Sequence, residues 1–165
     1  MRVLLPGVIF LSSLLAAQQA TPPPAKEAPF AVKLSAPLGD APVGSDLIVA
    51  LTITNTSLNP IFLPRIGGKL ALDLFVKMDV RDQEGKPVQE TPERIKALHL
   101  PLRPYHPRPE IKPGDSEITE VMLSQDYDLS KPGKYSVQVS ATDPASHAMA
   151  TSNTLTVNVL PLKDK

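Results

Sequence analysis

The chain has 165 residues, with 17 Lys+Arg against 17 Asp+Glu, so its formal net charge is zero. That balance gives no general pull towards nucleic acid or an anionic membrane. There is no Trp, aromatics are 4% of the chain, and there is no Cys. Stacking platforms for bases, thiol catalysis and thiolate metal sites are therefore excluded. The 19 prolines argue against long helices and for strands joined by structured loops.

The N-terminus reads MRVLLPGVIFLSSLLAAQQA. One Arg precedes an apolar run from Val3 to Leu15, and small residues follow, which is the layout of a secretory signal peptide over residues 1–20. Cleavage is expected near Ala17 or Ala20. An uncleaved N-terminal anchor is the alternative, although the run is short for a membrane span. Export to the periplasm or the extracellular space is the expectation, with no membrane span after cleavage. Export without a single cysteine leans towards a bacterial source, because small secreted animal domains are often stapled by disulfides. Residues 21–29 contain Pro22, Pro23 and Pro24 and form a stiff, extended, proline-rich linker.

From residue 30 to 161 the pattern is that of strands. Phe30, Val32 and Leu34 alternate with Ala31, Lys33 and Ser35. Residues 37–44 read as turn. In DLIVALTITNTS, Leu47, Val49, Leu51 and Ile53 share one face in a period of two. Asn55-Thr56-Ser57 formally matches a glycosylation acceptor. Ile61-Phe62-Leu63, bounded by Pro60 and Pro64, suits a short edge strand or a segment that switches sheets.

ALDLFVKMDVRD, residues 71–82, predicts one continuous strand, with Leu72, Leu74, Val76, Met78 and Val80 on one side and Phe75 on the other. Gln83 to Lys86 predicts a hairpin turn with Gly85 at positive φ, returning through an edge strand over Pro87 to Glu90. Thr91-Pro92-Glu93 predicts one helical turn, capped by Thr91. The segment that follows, to about residue 114, carries prolines at 101, 104, 107 and 109 and reads as a long ordered loop wrapping the fold.

Residues 116–123 form a strand of mixed pattern. Val121 and Leu123 lie on one face, Ile118 and Met122 on the other, and a bulge would reconcile them. In DLSKPGKYSVQV, Lys131-Pro132-Gly133 suits a type II turn. Tyr135 then falls where a tyrosine corner would, its ring buried and its hydroxyl bonded to upstream backbone. A second Lys-Pro-Gly occupies 112–114. A last strand over 153–160 points Leu155, Val157 and Val159 inward, and residues 162–165 form a tail.

These elements predict an all-β protein: an antiparallel, immunoglobulin-like sandwich of about seven strands with one long proline-rich loop. The order VGSDLIVALTITNTS, DLFVKMDVRDQEGKPV, IKPGDSEITEVMLS, YDLSKPGKYSVQV resembles bacterial immunoglobulin-like or fibronectin-like sandwiches. More narrowly, it resembles the sandwich region that precedes the catalytic domain in deuterolysin-like metallopeptidases. The resemblance implies a fold and an accessory role. It transfers no catalytic residue, because the zinc-binding H-E-x-x-H helix of that family does not occur here.

Chemistry is sparse in the sequence. His99, His106 and His147 have no partner ligands at helical spacing, so no metal site is assigned. Asp126, Asp128 and Asp143 read as turn residues bonding nearby backbone N–H groups rather than as calcium ligands. No G-x-S-x-G and no phosphate-cradling glycine loop is present. The expectation is a non-catalytic module with no cofactor, binding a protein or cell-envelope component. Its candidate contact residues are Arg94, Lys96, Arg103, Tyr105, His106 and Arg108, since Arg and Tyr are favoured at interface centres. The plainer reading is that the leucines of this loop pack on the sandwich and its cations are solvated. A metal-dependent hydrolase assembled from dispersed Asp and His is the alternative from a different class.

Overall fold

The structure, a computed structural model, describes residues 27–36, 39–66, 69–98 and 110–162. The signal-like segment, most of the linker and residues 99–109 lie outside the described residues.

Two sheets face each other. The first has three strands, β1 (Phe30–Ser35), β3 (Ile48–Asn55) and β7 (Ser116–Met122), with β3 in the middle. The second contains β2 (Ala41–Pro42), β6 (Val76–Arg81), β8 (Gly133–Thr142), β9 (Met149–Thr151) and β10 (Leu155–Leu160). Its order is β2-β10-β8-β6, and β9 extends the β10 side of β8. The grouping β1, β3, β7 against β6, β8, β10 is that of strands A, B, E against C, F, G in an immunoglobulin-like sandwich. Eight strands build the two sheets where about seven were expected. A separate two-stranded ladder joins β4 (Arg65–Ile66) to β5 (Lys69–Leu70).

The two-residue periodicity dictates the core. Val49, Leu51 and Ile53 of β3 and Val137, Val139 and Ala141 of β8 are fully buried between the sheets. Phe30 and Leu34, Tyr135, Val157 and Val159 complete that layer. With no cysteine in the chain, this packing is what holds the described fold together.

Several expectations need correction. Residues 71–82 are not one strand. Leu72–Leu74 make a 3-10 turn, closed by the Phe75 N–H on the Leu72 carbonyl at 3.0 Å, and β6 begins only at Val76. The three-residue repeat of that turn shifts the phase, so Phe75 is buried and Leu74 is 42% exposed. Residues 37–44 hide a strand: Ala41–Pro42 runs parallel to β10, the one parallel pair in the sandwich among the described residues. No bulge interrupts β7, whose register with β3 runs unbroken from Ile48↔Met122 to Thr54↔Ser116. Its alternation is regular, with Ile118 and Met122 simply exposed, while Leu123 turns inward at the start of helix α2 (Leu123–Asp126).

The fourth correction concerns Lys131-Pro132-Gly133. Gly133 has φ +156 and already belongs to β8, so it does not take the left-handed position of a type II turn. The second Lys-Pro-Gly does. Gly114 has φ +81, and the Asp115 N–H donates to the Lys112 carbonyl at 3.0 Å. Tyr135 is buried as expected, and its hydroxyl donates to the Lys131 carbonyl at 2.7 Å.

Gly85 takes φ +77 in its hairpin turn, as its position requires. Pro87 to Glu90 does not form a ladder and makes only single bridges, Arg81↔Pro87 and Glu90↔Tyr127. Ile61 likewise makes one bridge, to Ile111. The helix opened by Thr91 is α1 (Pro92–Leu98), seven residues rather than one turn, and the Thr91 hydroxyl accepts from the Arg94 N–H at 3.2 Å.

Asn55, at the end of β3, is 1% exposed. Its Nδ2 donates to the carbonyls of Asn59 and Ile111, each at 2.8 Å. Its Oδ1 accepts from the Ser57 N–H and hydroxyl, at 2.9 and 2.8 Å. The formal glycosylation acceptor is thus closed in the folded protein, because its amide nitrogen is buried and both its protons are engaged.

Candidate functional site

Of the six residues singled out as contact candidates, two are described. Arg103, Tyr105, His106 and Arg108 lie outside the described residues. Lys96 is exposed on α1. Arg94 is turned towards the sandwich and pairs with Asp73 of the 3-10 turn. Its Nε is buried without a hydrogen-bond partner among the described residues. Burial works against the Arg94 charge, but the Asp73 hydrogen bond and the nearby Asp73 and Asp126 carboxylates outweigh it and raise its pKa. Burial also pushes the Asp126 carboxyl above the ordinary carboxylate range, against the pull of Arg94. The Tyr127 hydroxyl, bonded to the Met78 carbonyl at 3.2 Å, is pushed up to about 12, first by burial and then by Glu90. Arg94 is therefore an anchor that ties α1 to the fold, and Lys96 is the one candidate left on a surface among those described.

The three acidic turn residues behave in different ways. Asp128 accepts from the Ser130 N–H at 3.1 Å, and its pKa is lowered by its bonds with Ser130. Asp143 accepts from the Ser146 N–H at 2.8 Å. Asp126 instead belongs to the cluster around Arg94. Among the described residues, no group of three His, Cys, Asp or Glu side chains is placed to hold a metal ion. His147 sits in the Asp143–Ala148 turn at φ +58, with its N–H on the Asp143 carbonyl at 2.8 Å. An open cleft of about 500 Å³ at one end of the sandwich is lined by Ser45, Asp46, Ser124, Gln125 and Asp128, among others, without a convergent reactive set.

The feature that stands out is an edge. An exposed strand edge offers unpaired N–H and C=O groups to any passing chain, and folded proteins normally block it. Three of the longer edges here are covered over part of their length. On the outer side of β1, Asn153 presents its side-chain amide as a substitute strand. The Leu34 N–H donates to Asn153 Oδ1 at 2.9 Å, and Asn153 Nδ2 donates to the Leu34 carbonyl at 3.1 Å. On the outer side of β6, the Val88 N–H donates to the Val80 carbonyl at 2.9 Å. On β10, β2 and then the Val43 N–H, at 2.8 Å from the Leu160 carbonyl, close the end.

The outer side of β7 is not blocked in this way. The Asn55 N–H donates to the Asp115 carbonyl and the Leu123 N–H to the Leu47 carbonyl, which fixes the phase of the ladder. Odd-numbered residues of β7 bond to β3, so Ser116, Ile118 and Glu120 aim both backbone groups outward. None of these groups bonds to another described residue. The Met122 carbonyl is the exception on this side, since it caps α2. The strand carries no proline and no lysine, and Ile118 is 67% exposed.

Sequence reasoning placed the accessible edges at proline-flanked segments and missed β7. The signal was present in the alternation: Ile118 and Met122 are apolar residues on a face that the pattern assigns to solvent.

No protein-family model and no curated protein sequence matches the chain. No helix among the described residues is long and apolar enough to cross a membrane.

Proposed function

We propose that the chain is an exported, non-catalytic, immunoglobulin-like module that binds a protein or envelope component by adding a partner strand to its three-stranded sheet at β7. One observation carries this reading: Ser116, Ile118 and Glu120 direct unpaired backbone groups outward along an edge that carries an exposed isoleucine, whereas the edges of β1, β6 and β10 are covered at Leu34, Val80 and Leu160 respectively. Strand addition takes its affinity from main-chain hydrogen bonds and its selectivity from alternate side chains, and β7 offers both. The signal-like residues 1–20 support export. Exposed Ile95, Lys96 and Leu98 on α1 add side-chain surface outside the sheets.

The test is capture of binding proteins from the native envelope by the full chain and by its Glu120→Pro variant. Proline at 120 deletes an outward N–H and leaves the β3 ladder intact, because Glu120 makes no bond to β3. Wild type should retain a partner that the variant releases. Equal capture by both proteins removes β7 from the binding surface.

A further inference from the structure

We propose that the strand added at β7 is β7 of a second copy of the chain, so that two three-stranded sheets join into one six-stranded sheet across a two-fold axis at Ile118. This rests on the edge reading given under Proposed function and names its partner.

The open stretch is self-complementary. Its three outward residues, Ser116, Ile118 and Glu120, are centred on Ile118. An antiparallel two-fold through Ile118 sets Ile118 against its symmetry mate and Ser116 against the mate's Glu120. In an antiparallel ladder each such pair exchanges two backbone hydrogen bonds, so every outward N–H and C=O of the three residues finds a partner.

The side chains on this row agree with that register. Ile118 meets Ile118, an apolar pair between two exposed faces. Glu120 meets Ser116, a carboxylate opposite a hydroxyl. Ser116 Oγ already lies 2.8 Å from Thr54 Oγ1 on β3. With Thr54 donating to it, Ser116 is free to donate onward to the carboxylate, which makes a polar ladder Thr54–Ser116–Glu120 across the joint.

Neighbouring registers are worse for stated reasons. A two-fold through Glu120 sets two carboxylates face to face, a repulsive pair. A two-fold through Thr119 sets Ile118 against Glu120 and Ser116 against Met122, whose carbonyl is already used by α2. Within SEITEVM, the Ile118 register both separates the carboxylates and pairs the three open residues only with one another. A joint of three residues per copy is small, below the roughly 1,000 Å² of a stable complex, so the dimer is a weak one that forms on concentration.

The experiment combines sedimentation equilibrium with amide hydrogen exchange on the full chain over a wide concentration range. The expected result is an average mass that climbs from monomer towards dimer, together with Ile118 and Glu120 amides that exchange fast when dilute and slow when concentrated. Ile118→Lys, at an exposed position, should hold the protein monomeric with an unchanged melting temperature. A monomer at every concentration with fast Ile118 and Glu120 amides overturns self-pairing and leaves the open edge standing. A monomer whose Ile118 and Glu120 amides are slow at every concentration overturns the open edge itself. Concentration-dependent dimerisation that Ile118→Lys leaves intact also overturns the proposal.

Discussion

The Tyr135 hydroxyl reaches back four residues to the Lys131 carbonyl at 2.7 Å, with the Tyr135 ring buried beneath the entry to β8. This one bond pins the crossing into the central strand of the larger sheet. It also replaces the N–H that a type II turn would have offered to the same carbonyl.

Tyr135→Phe removes that bond and keeps the ring. The expected loss is about 1 kcal/mol, the net value of one hydrogen bond whose acceptor can turn to water. A urea titration should show a lower midpoint with an unchanged slope. An unchanged midpoint would mean that the corner is held by packing alone.

Asn153→Ala strips the side-chain amide from the edge of β1. Both backbone groups of Leu34, a residue only 2% exposed, lose their partner. The cost should be about 1–3 kcal/mol, since two groups are left unsatisfied. The Leu34 amide should change from slow to fast hydrogen exchange while the amides of β8 stay slow. Uniform acceleration across the protein would instead show global destabilisation without a local role.

Asp126→Asn should stabilise the fold at neutral pH. Burial raises the Asp126 pKa above its ordinary 3.8, so the fold disfavours the carboxylate relative to the unfolded chain. A group raised in this way contributes stability in acid, below 3.8, and loses that contribution as pH climbs through its folded value. The uncharged amide avoids the loss. The melting temperature of the variant should exceed that of wild type at about pH 7 and converge with it at about pH 3, where the wild-type group carries its proton. A variant less stable at neutral pH would show that the attraction to Arg94 outweighs burial.

Much of the sandwich was legible because its central strands alternate without exception. Leu47, Val49, Leu51 and Ile53 could be assigned to the core from spacing alone, as could Tyr135, Val137 and Val139. The failures are places where a remote partner decides. The same Lys-Pro-Gly takes two conformations: the Lys112 carbonyl is taken by the Asp115 N–H that closes its own turn, the Lys131 carbonyl by a tyrosine hydroxyl. Phe75 turned inward because a 3-10 turn reset the phase ahead of β6. The open edge of β7 was half legible: its apolar outward residues were visible, but which strands lie at the rim of a sheet is a property of topology. Arg94 looked like a contact residue from its charge, and only the fold brings Asp73 beneath it.

The closed Asn55 side chain bears on how the protein can be manufactured. Oligosaccharide transfer in a eukaryotic secretory pathway acts on the nascent chain, before the sandwich forms. A sugar on Asn55 Nδ2 would then occupy the atom that must later bond to Asn59 and Ile111. Yeast or mammalian secretion should therefore yield chains that cannot close, whereas a host lacking this machinery delivers them competent to fold.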